Sequence, residues 1–182
     1  LEQHGCLFFE EPVTPEDRDG YRRVRQSLDI PIAGGEAEFT RWGFAELFAG
    51  GCVDIAQPDL CVCGGFSEFQ KIFALASSHG VMVIPHVWGS GVAQAAALHA
   101  IAALPPMPHT ANPVPLQNEP VIEFDRNHNP LRDELLVVPL RVGSDGRVPV
   151  PQGPGLGIEI DERMLTRYAA PQPTGEPQYE TI

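Results

Sequence analysis

Positive charge is scarce in this sequence. Its 182 residues include 12 Lys and Arg against 24 Asp and Glu, which gives a formal net charge of −12, and Lys71 is the only lysine. A nucleic-acid-binding protein needs a basic face, so this balance argues against a nucleic-acid partner. It is compatible with carboxylates clustered around a divalent cation, and equally with an ordinary acidic protein.

Long apolar runs are also missing. No run approaches the ~20 residues of a membrane span, and no basic segment precedes an apolar core at the N-terminus, so we expect neither a membrane helix nor a signal peptide. The four cysteines lack zinc-finger spacing, which predicts reduced thiols in a cytoplasmic protein. The chain starts at Leu1 without an initiator methionine, and we expect it to have been cut from a longer protein.

The sequence does contain one pattern five times: a short apolar run that leads to an ionisable residue. The runs and these residues are 6–9 with Glu10, 30–33 with Glu36, 53–56 with Asp59, 81–84 with His86, and 121–122 with Glu123. Amphipathic helical segments lie between the runs. Repeated strand–helix units predict parallel strands with helical crossovers, and near-continuous apolar strands are typical of a sheet buried on both faces.

Both an open doubly wound sheet and a closed barrel fit this pattern. Because every strand delivers an acid or a histidine at its carboxyl end, we favour a barrel, in which all these ends meet on one rim. A complete TIM-type barrel has about eight such units, whereas five are found here. The prediction is therefore an α/β fold that forms strands 4–8 of a (β/α) barrel, with the first three strands expected before Leu1.

Helix signals support the same division. We expect a helix capped by Thr14, a second capped by Thr40, a third carrying an apolar stripe closed by Gly80, and a fourth that starts near Ser90. We assign 1–138 to the barrel, 139–168 to a hairpin and turn segment returning toward a capping region, and 169–182 to a flexible tail. The hairpin is expected to pair 135–142 with 147–150 across the turn at 143–146.

The strand-end residues suggest specific chemistry. Glu10 and Glu36 follow adjacent strands, and two close carboxylates repel each other unless a cation such as Mg²⁺ lies between them; the alternative is that they pair with Arg41 or face solvent. Asp59 and His86 could form a carboxylate–imidazole pair for proton transfer; the alternative is a purely structural histidine.

Several motifs together resemble a known family. In order and spacing, they are similar to the second half of proteins in the mandelate racemase subgroup of the enolase superfamily. This subgroup belongs to the mandelate racemase/muconate lactonizing enzyme family. The shared motifs are Phe8-Phe9-Glu10-Glu11-Pro12, Gly35-Glu36, Pro58-Asp59 with Gly64-Gly65, Ile84-Pro85-His86, and Pro154-Gly155-Leu156-Gly157. The resemblance covers roughly residues 1–161.

The resemblance implies a role for each rim residue. Glu10 and Glu36 match two of the family's three Mg²⁺ ligands, and His86 with Asp59 matches its proton-transferring dyad. Glu123 matches the acid that hydrogen-bonds the substrate carboxylate; from the residues alone, Glu123 could donate a hydrogen bond if protonated, or orient a neighbour. The family's third metal ligand, its lysine base and its N-terminal capping domain have no counterpart in this chain.

The resemblance also implies a reaction. The family's shared step removes the proton α to a carboxylate and gives an enediolate stabilised by Mg²⁺. Dehydration of a sugar acid is our first expectation, racemisation or epimerisation of an α-hydroxy acid the second, and a non-catalytic fragment the third. We expect a small-molecule carboxylate substrate and a homo-oligomer for the full-length enzyme, and no turnover by these 182 residues alone.

Overall fold

The computed structural model of the chain describes residues 1–105 and 120–169. Its centre is a parallel sheet of four strands in the order β1-β2-β3-β4. The strands are β1 (Phe9–Glu10), β2 (Ile32–Gly34), β3 (Ile55–Ala56) and β4 (Met82–Val83). Neighbouring strands in space are also neighbours in sequence, as expected for strand–helix units that wind in one direction. This α/β arrangement is part of a TIM-type barrel, and the predicted fold class is confirmed.

Consecutive residues of each strand pack on opposite faces of the sheet, because side chains alternate along a strand. On one face Ala33, Ile55 and Met82 form a small apolar cluster with Ile84. On the other face the alternate strand residues join a large core with the helices. Both faces are therefore buried, which explains why the strands are apolar at nearly every position.

Four helices, one after each strand, cover the face of the sheet that contributes to the large core; we call this the outer face. They are α1 (Arg18–Ser27), α2 (Thr40–Ala49), α3 (Gly65–Ser78) and α4 (Gly91–Ala102). The stripe predicted for the third helix is confirmed, since its buried residues are Phe69, Ile72, Phe73 and Ala76. At the start of α4 the Ser90 side chain accepts a hydrogen bond from the Ala93 N–H, as the sequence predicted.

Two predicted helix starts were wrong. The first helix begins at Arg18 rather than directly after Thr14, because the side chain of Asp17 accepts from the Gly20 N–H and provides the cap. Thr14 instead belongs to a preceding turn, in which its carbonyl accepts from the Asp17 N–H. Thr40 is the first residue of α2 and not its cap, which is Phe39.

The region after α4 also departs from the prediction. Residues 121–123 form no strand within the described part of the chain, so the expected fifth strand was wrong. The hairpin was wrong as well: the turn closes through the Gly143 N–H and the Arg147 carbonyl, but Leu136 forms an antiparallel bridge with Ile160 instead. Two short helices, α5 (Pro130–Asp133) and α6 (Glu162–Tyr168), were not predicted.

Residues 106–119 and 170–182 lie outside the described part, so the proposed tail stays a prediction, as do the domain boundaries. Among the helices of the described residues, none has the length and apolar character needed to cross a membrane.

Candidate active site

The carboxyl ends of the four strands meet at one edge of the sheet. Glu10 is the last residue of β1, and Glu36, Asp59 and His86 follow β2, β3 and β4 within three residues. Parallel strands present their carboxyl ends on the same rim, so these side chains converge. We call this edge the rim.

The loop after β2 depends on a glycine. Gly35 has a φ of 117°, and a Cβ placed there would lie 2.7 Å from Cε1 of Phe44. No L-residue with a side chain fits this conformation without strain, so the glycine fixes the path by which Glu36 reaches the rim.

His86 and Asp59 are in contact, as the sequence predicted. The Nδ1 of His86 lies 2.8 Å from Oδ2 of Asp59, and both side chains are largely buried. The other Asp59 oxygen accepts from the Cys61 N–H at 2.6 Å, which holds the carboxylate in place. Asp59 therefore orients the imidazole, and its role in catalysis stays a prediction.

The pKa values of this pair move apart. The hydrogen bond to Asp59 raises the pKa of His86, while burial opposes the shift in part. Burial raises the pKa of Asp59, but hydrogen bonds from His86 and from the Cys61 N–H outweigh it and bring the pKa below its ordinary value. Each partner thus stabilises the charged form of the other, which favours an imidazolium over a wider pH range.

Glu36 contacts the second nitrogen of the same histidine. Its Oε2 lies 3.2 Å from Nε2 of His86. The alternative pairing of Glu36 with Arg41 does not occur, because the Arg41 guanidinium binds Glu68. The proposed metal ligand and the proposed proton-transfer group are therefore neighbours on the rim.

Gln57, which the sequence analysis missed, lies between Glu10 and Glu123. The side chain is fully buried and its Nε2 donates to Oε1 of Glu10 at 3.0 Å and to Oε1 of Glu123 at 2.6 Å. The other oxygen of Glu123 accepts from the Val87 N–H at 3.2 Å, and burial raises the pKa of Glu123. Glu123 therefore reaches the rim without a fifth strand. The signal that could have revealed Gln57 is its position, a polar residue directly after the apolar strand β3.

Glu11 adds a third carboxylate near the proposed metal ligands. Its Oε1 is buried without a hydrogen-bond partner. Burial, and then the negative charges of Glu36 and Glu10, raises the pKa of Glu11. The carboxylates of Glu10 and Glu36 thus lie close enough to Glu11 to disfavour its charged form, and hard carboxylate oxygens are the ligands that Mg²⁺ prefers. Glu10 and Glu36 each supply oxygens of this kind, and their role as metal ligands stays a prediction. Within the described ranges, no group of three or more His, Cys, Asp or Glu residues is arranged to hold a metal ion.

A cavity of about 390 Å³ opens at the rim, a size that suits a small molecule. Three of the predicted site residues line it, namely Glu10, His86 and Glu123. The remaining lining residues follow β4 or belong to the segment after Glu123: Val87, Trp88, Phe124, Asp125 and Asn127.

Helix α5 holds this lining segment in place. The buried guanidinium of Arg132 donates to the Asp125 carbonyl and, at 3.0 Å, to the Asp125 carboxylate. It also donates to the Asn127 carbonyl at 2.7 Å and to both oxygens of Asp133. The side chain of Asn129 donates to the Gly89 carbonyl at 2.9 Å, which ties α5 to the loop after β4. We call Asn129 and Arg132 together the α5 clip.

Comparisons with known proteins identify the family of the chain. The sequence model of the enolase C-terminal domain-like family matches residues 1–164. The chain is 53% identical to the D-galactarolactone cycloisomerase of Agrobacterium fabrum over 169 residues, which are 93% of this chain and 43% of that protein. It is 36% identical to the arabinonate dehydratase of Saccharolobus solfataricus, over 92% of this chain and 41% of that protein.

A solved structure gives the same result. The crystal structure of the 3,6-anhydro-D-galactonate cycloisomerase from Zobellia galactanivorans superimposes with a TM-score of 0.79 at 43% identity, covering 92% of this chain and 44% of that one. The chain spans less than half the length of each of these relatives. Family match, identity and fold agree: the chain belongs to the enolase C-terminal domain-like family, within the mandelate racemase/muconate lactonizing enzyme group of the enolase superfamily.

Proposed function

We propose that the protein removes the proton α to the carboxylate of a sugar acid and expels an oxygen from the neighbouring β carbon. The observation that carries this proposal is the His86–Asp59 pair, whose imidazole lines a small-molecule cavity together with Glu10 and Glu123. Relatives named as sugar-acid dehydratases and cycloisomerases support the choice of substrate class.

His86 supplies the proton that the departing oxygen needs. A base takes the α-proton, the electron pair left behind forms the Cα–Cβ double bond, and the Cβ–O bond breaks. As it breaks, the imidazolium gives its Nε2 proton to that oxygen, and Asp59 stabilises the imidazolium beforehand through Nδ1. The enol product then rearranges to a ketone. The raised pKa of His86 supports this role, because the acid must carry its proton at the working pH.

Glu10 and Glu36 would hold Mg²⁺ at the rim. When bound, the ion would stabilise negative charge that develops on the substrate carboxylate as the α-proton leaves. Burial raises the pKa of Glu123 and so favours its protonated form, which would donate a hydrogen bond to that carboxylate. Such a donor in a dry cavity contributes about 3 kcal/mol of transition-state stabilisation.

The base that takes the α-proton is not supplied by a lysine of the described residues. Lys71 is exposed on α3, where its Nζ pairs with Glu68 at 2.8 Å. We therefore propose that residues 1–182 alone do not turn over substrate, and also that they bind Mg²⁺ weakly. We further propose that the full-length protein acts as a homo-oligomer in the cytoplasm. Measurable turnover by the 182-residue chain would contradict this part of the proposal.

Two leaving groups are compatible with the same proton transfers. If the β oxygen belongs to a hydroxyl, it departs as water and the reaction is a dehydration. If it belongs to a ring, it stays attached through its other bond and the product has the same mass, which is a cycloisomerisation. The sequence motifs make dehydration our first candidate reaction. Cycloisomerisation, in which the ring oxygen leaves, is the second candidate, because the chain is 53% and 43% identical to two cycloisomerases.

One experiment distinguishes these reactions. The full-length protein with Mg²⁺ is incubated in deuterated water with aldonic acids, aldaric acids and their lactones, and the products are analysed by mass spectrometry and NMR. The enol takes one deuteron at the β carbon as it becomes a ketone, so both eliminations add one deuterium to the product. Apart from this deuterium, loss of water indicates dehydration and a new ketone without loss of water indicates cycloisomerisation. α-Deuterium without elimination indicates racemisation or epimerisation.

Variants test the residue roles in the same assay. We expect His86→Asn or Glu36→Gln to abolish elimination and at least one direction of α-proton exchange. His79→Asn and Glu46→Gln are matched controls, because both residues are exposed: Glu46 lies on α2, and His79 directly follows α3. Full exchange and elimination in His86→Asn and Glu36→Gln would remove the roles assigned here.

A further inference from the structure

Gln57 is the one fully buried polar side chain that contacts two of the proposed site residues in the described part of the chain. An amide nitrogen carries two hydrogens, and Nε2 of Gln57 gives one to Glu10 and one to Glu123. A single nitrogen thus joins the end of β1 to the segment that enters the rim after residue 120.

This arrangement fixes the orientation of the amide. With Nε2 facing both carboxylates, Oε1 points into the protein, where it has no hydrogen-bond partner. The reverse orientation would place an acceptor oxygen against two carboxylates. Leaving a buried oxygen without a partner is unfavourable, and the amide accepts this in the orientation that keeps both donor contacts to the carboxylates.

We propose that Gln57 is a positioning residue that sets the separation of Glu10 and Glu123, so that one substrate carboxylate can reach both the metal held by Glu10 and the hydrogen of Glu123. The proposal rests on the function proposed above and adds a residue to it. Gln57 touches neither substrate nor metal in this role; it acts through the two carboxylates.

The competing explanation is that Gln57 only fills space under the rim. Methionine has nearly the same length and no N–H, so Gln57→Met keeps the packing and removes both hydrogen bonds. Gln57→Asn keeps the amide but shortens the side chain by one methylene, so it cannot reach both carboxylates. Gln94 gives a matched control, because it is equally buried, on α4, and its Oε1 also lacks a partner.

The test measures Mg²⁺ affinity by calorimetry, and kcat and KM on the substrate found above, in the full-length protein. We expect Gln57→Met and Gln57→Asn to lower Mg²⁺ affinity and kcat/KM by about 10- to 100-fold, the usual cost of losing a partner that orients a metal ligand. Gln94→Met should change neither by more than about twofold, since it acts on packing alone.

A double-mutant cycle separates positioning from general disturbance. If Gln57 acts through Glu123, the loss of kcat/KM caused by Gln57→Met becomes smaller in a Glu123→Gln background, whereas independent effects would multiply. Multiplying effects, or Gln57 variants that match Gln94→Met in Mg²⁺ affinity and kcat/KM, would overturn the proposal. If Glu10→Gln and Glu36→Gln leave Mg²⁺ affinity unchanged, the proposed function itself fails, and that result is distinct from a failure confined to Gln57.

Discussion

Replacement of Arg132 by methionine should destabilise the protein strongly, because its guanidinium is the centre of the α5 clip. The side chain is 9% exposed and that of its partner Asp125 is 12% exposed. Methionine fills much of the same space but donates no hydrogen bond. The bonds to the Asp125 carboxylate, the Asn127 carbonyl and the Asp133 carboxylate would all be lost.

The expected loss of stability depends on the carboxylates that lose their cationic partner. Asp125 would remain a nearly buried carboxylate without its cation, and removing one partner of a buried ion pair costs about 3–5 kcal/mol. Asp133, with a side chain that is 37% exposed, regains water and adds little. Arg132→Lys keeps the charge but not the planar fork of donors, so we expect a smaller loss of about 1–3 kcal/mol.

The assay is urea unfolding followed by far-UV circular dichroism, with Arg163→Met as the control. The Arg163 side chain is 85% exposed and that of its partner Asp161 is 16% exposed, so loss of this solvated guanidinium should change the unfolding midpoint only slightly. With an m value of about 2 kcal/mol per molar urea, Arg132→Met should lower the midpoint by about 2 M. In the full-length protein, KM should also rise, because segment 125–127 lines the cavity. A midpoint for Arg132→Met equal to that of the control would refute the reasoning.

Two further predictions concern the rim. The Asp59–His86 pair should stabilise the fold most while both groups are charged. The pKa of Asp59 is lowered, so the stability that its carboxylate contributes is lost below about pH 4, as the carboxylate is protonated. The pKa of His86 is raised, so the stability that the imidazolium contributes is lost as the pH rises through this raised pKa. The difference in urea midpoint between the wild type and Asp59→Asn should therefore shrink on both sides of this window, and a difference independent of pH would contradict the assignment. Gly35→Ala should cost about 1–3 kcal/mol, because it combines an unfavourable φ with a clash against Phe44. Gly65→Ala, where φ is 72° and no atom lies within 4 Å of the added Cβ, is the control and should cost less in the same urea titration.

The periodic part of the fold could be predicted from the sequence because its physics is local. An apolar run next to a helix with a buried stripe, such as 65–78, specifies a strand–helix unit whatever surrounds it. The path after α4 could not be predicted in this way. The bridge between Leu136 and Ile160 joins residues far apart in the chain, and a hairpin turn at 143–146 competes locally with that long-range pairing.

The rim was predictable to the extent that parallel strands bring their ends together. That rule brings Asp59 and Glu36 to the same edge as His86, where each contacts one nitrogen of the imidazole. It could not reveal Gln57, because a glutamine after a strand has no special chemistry until its two carboxylate partners are known. Nor could it reveal the α5 clip, since the role of Arg132 depends on backbone carbonyls, which a sequence does not distinguish from one another.

The relation between dehydration and cycloisomerisation follows from these contacts. In both reactions the α-proton leaves and an oxygen on the β carbon accepts a proton, so His86 and Asp59 would serve either one unchanged. What differs is whether that oxygen is a hydroxyl or part of a ring, and hence the shape that the cavity must hold. The residues that choose between the reactions should therefore lie in the cavity wall of 87–88 and 124–127 rather than in the proton-transfer pair. Because the α5 clip ties both parts of this wall together through Gly89, Asp125 and Asn127, a change in the clip should alter substrate preference before it alters the chemistry.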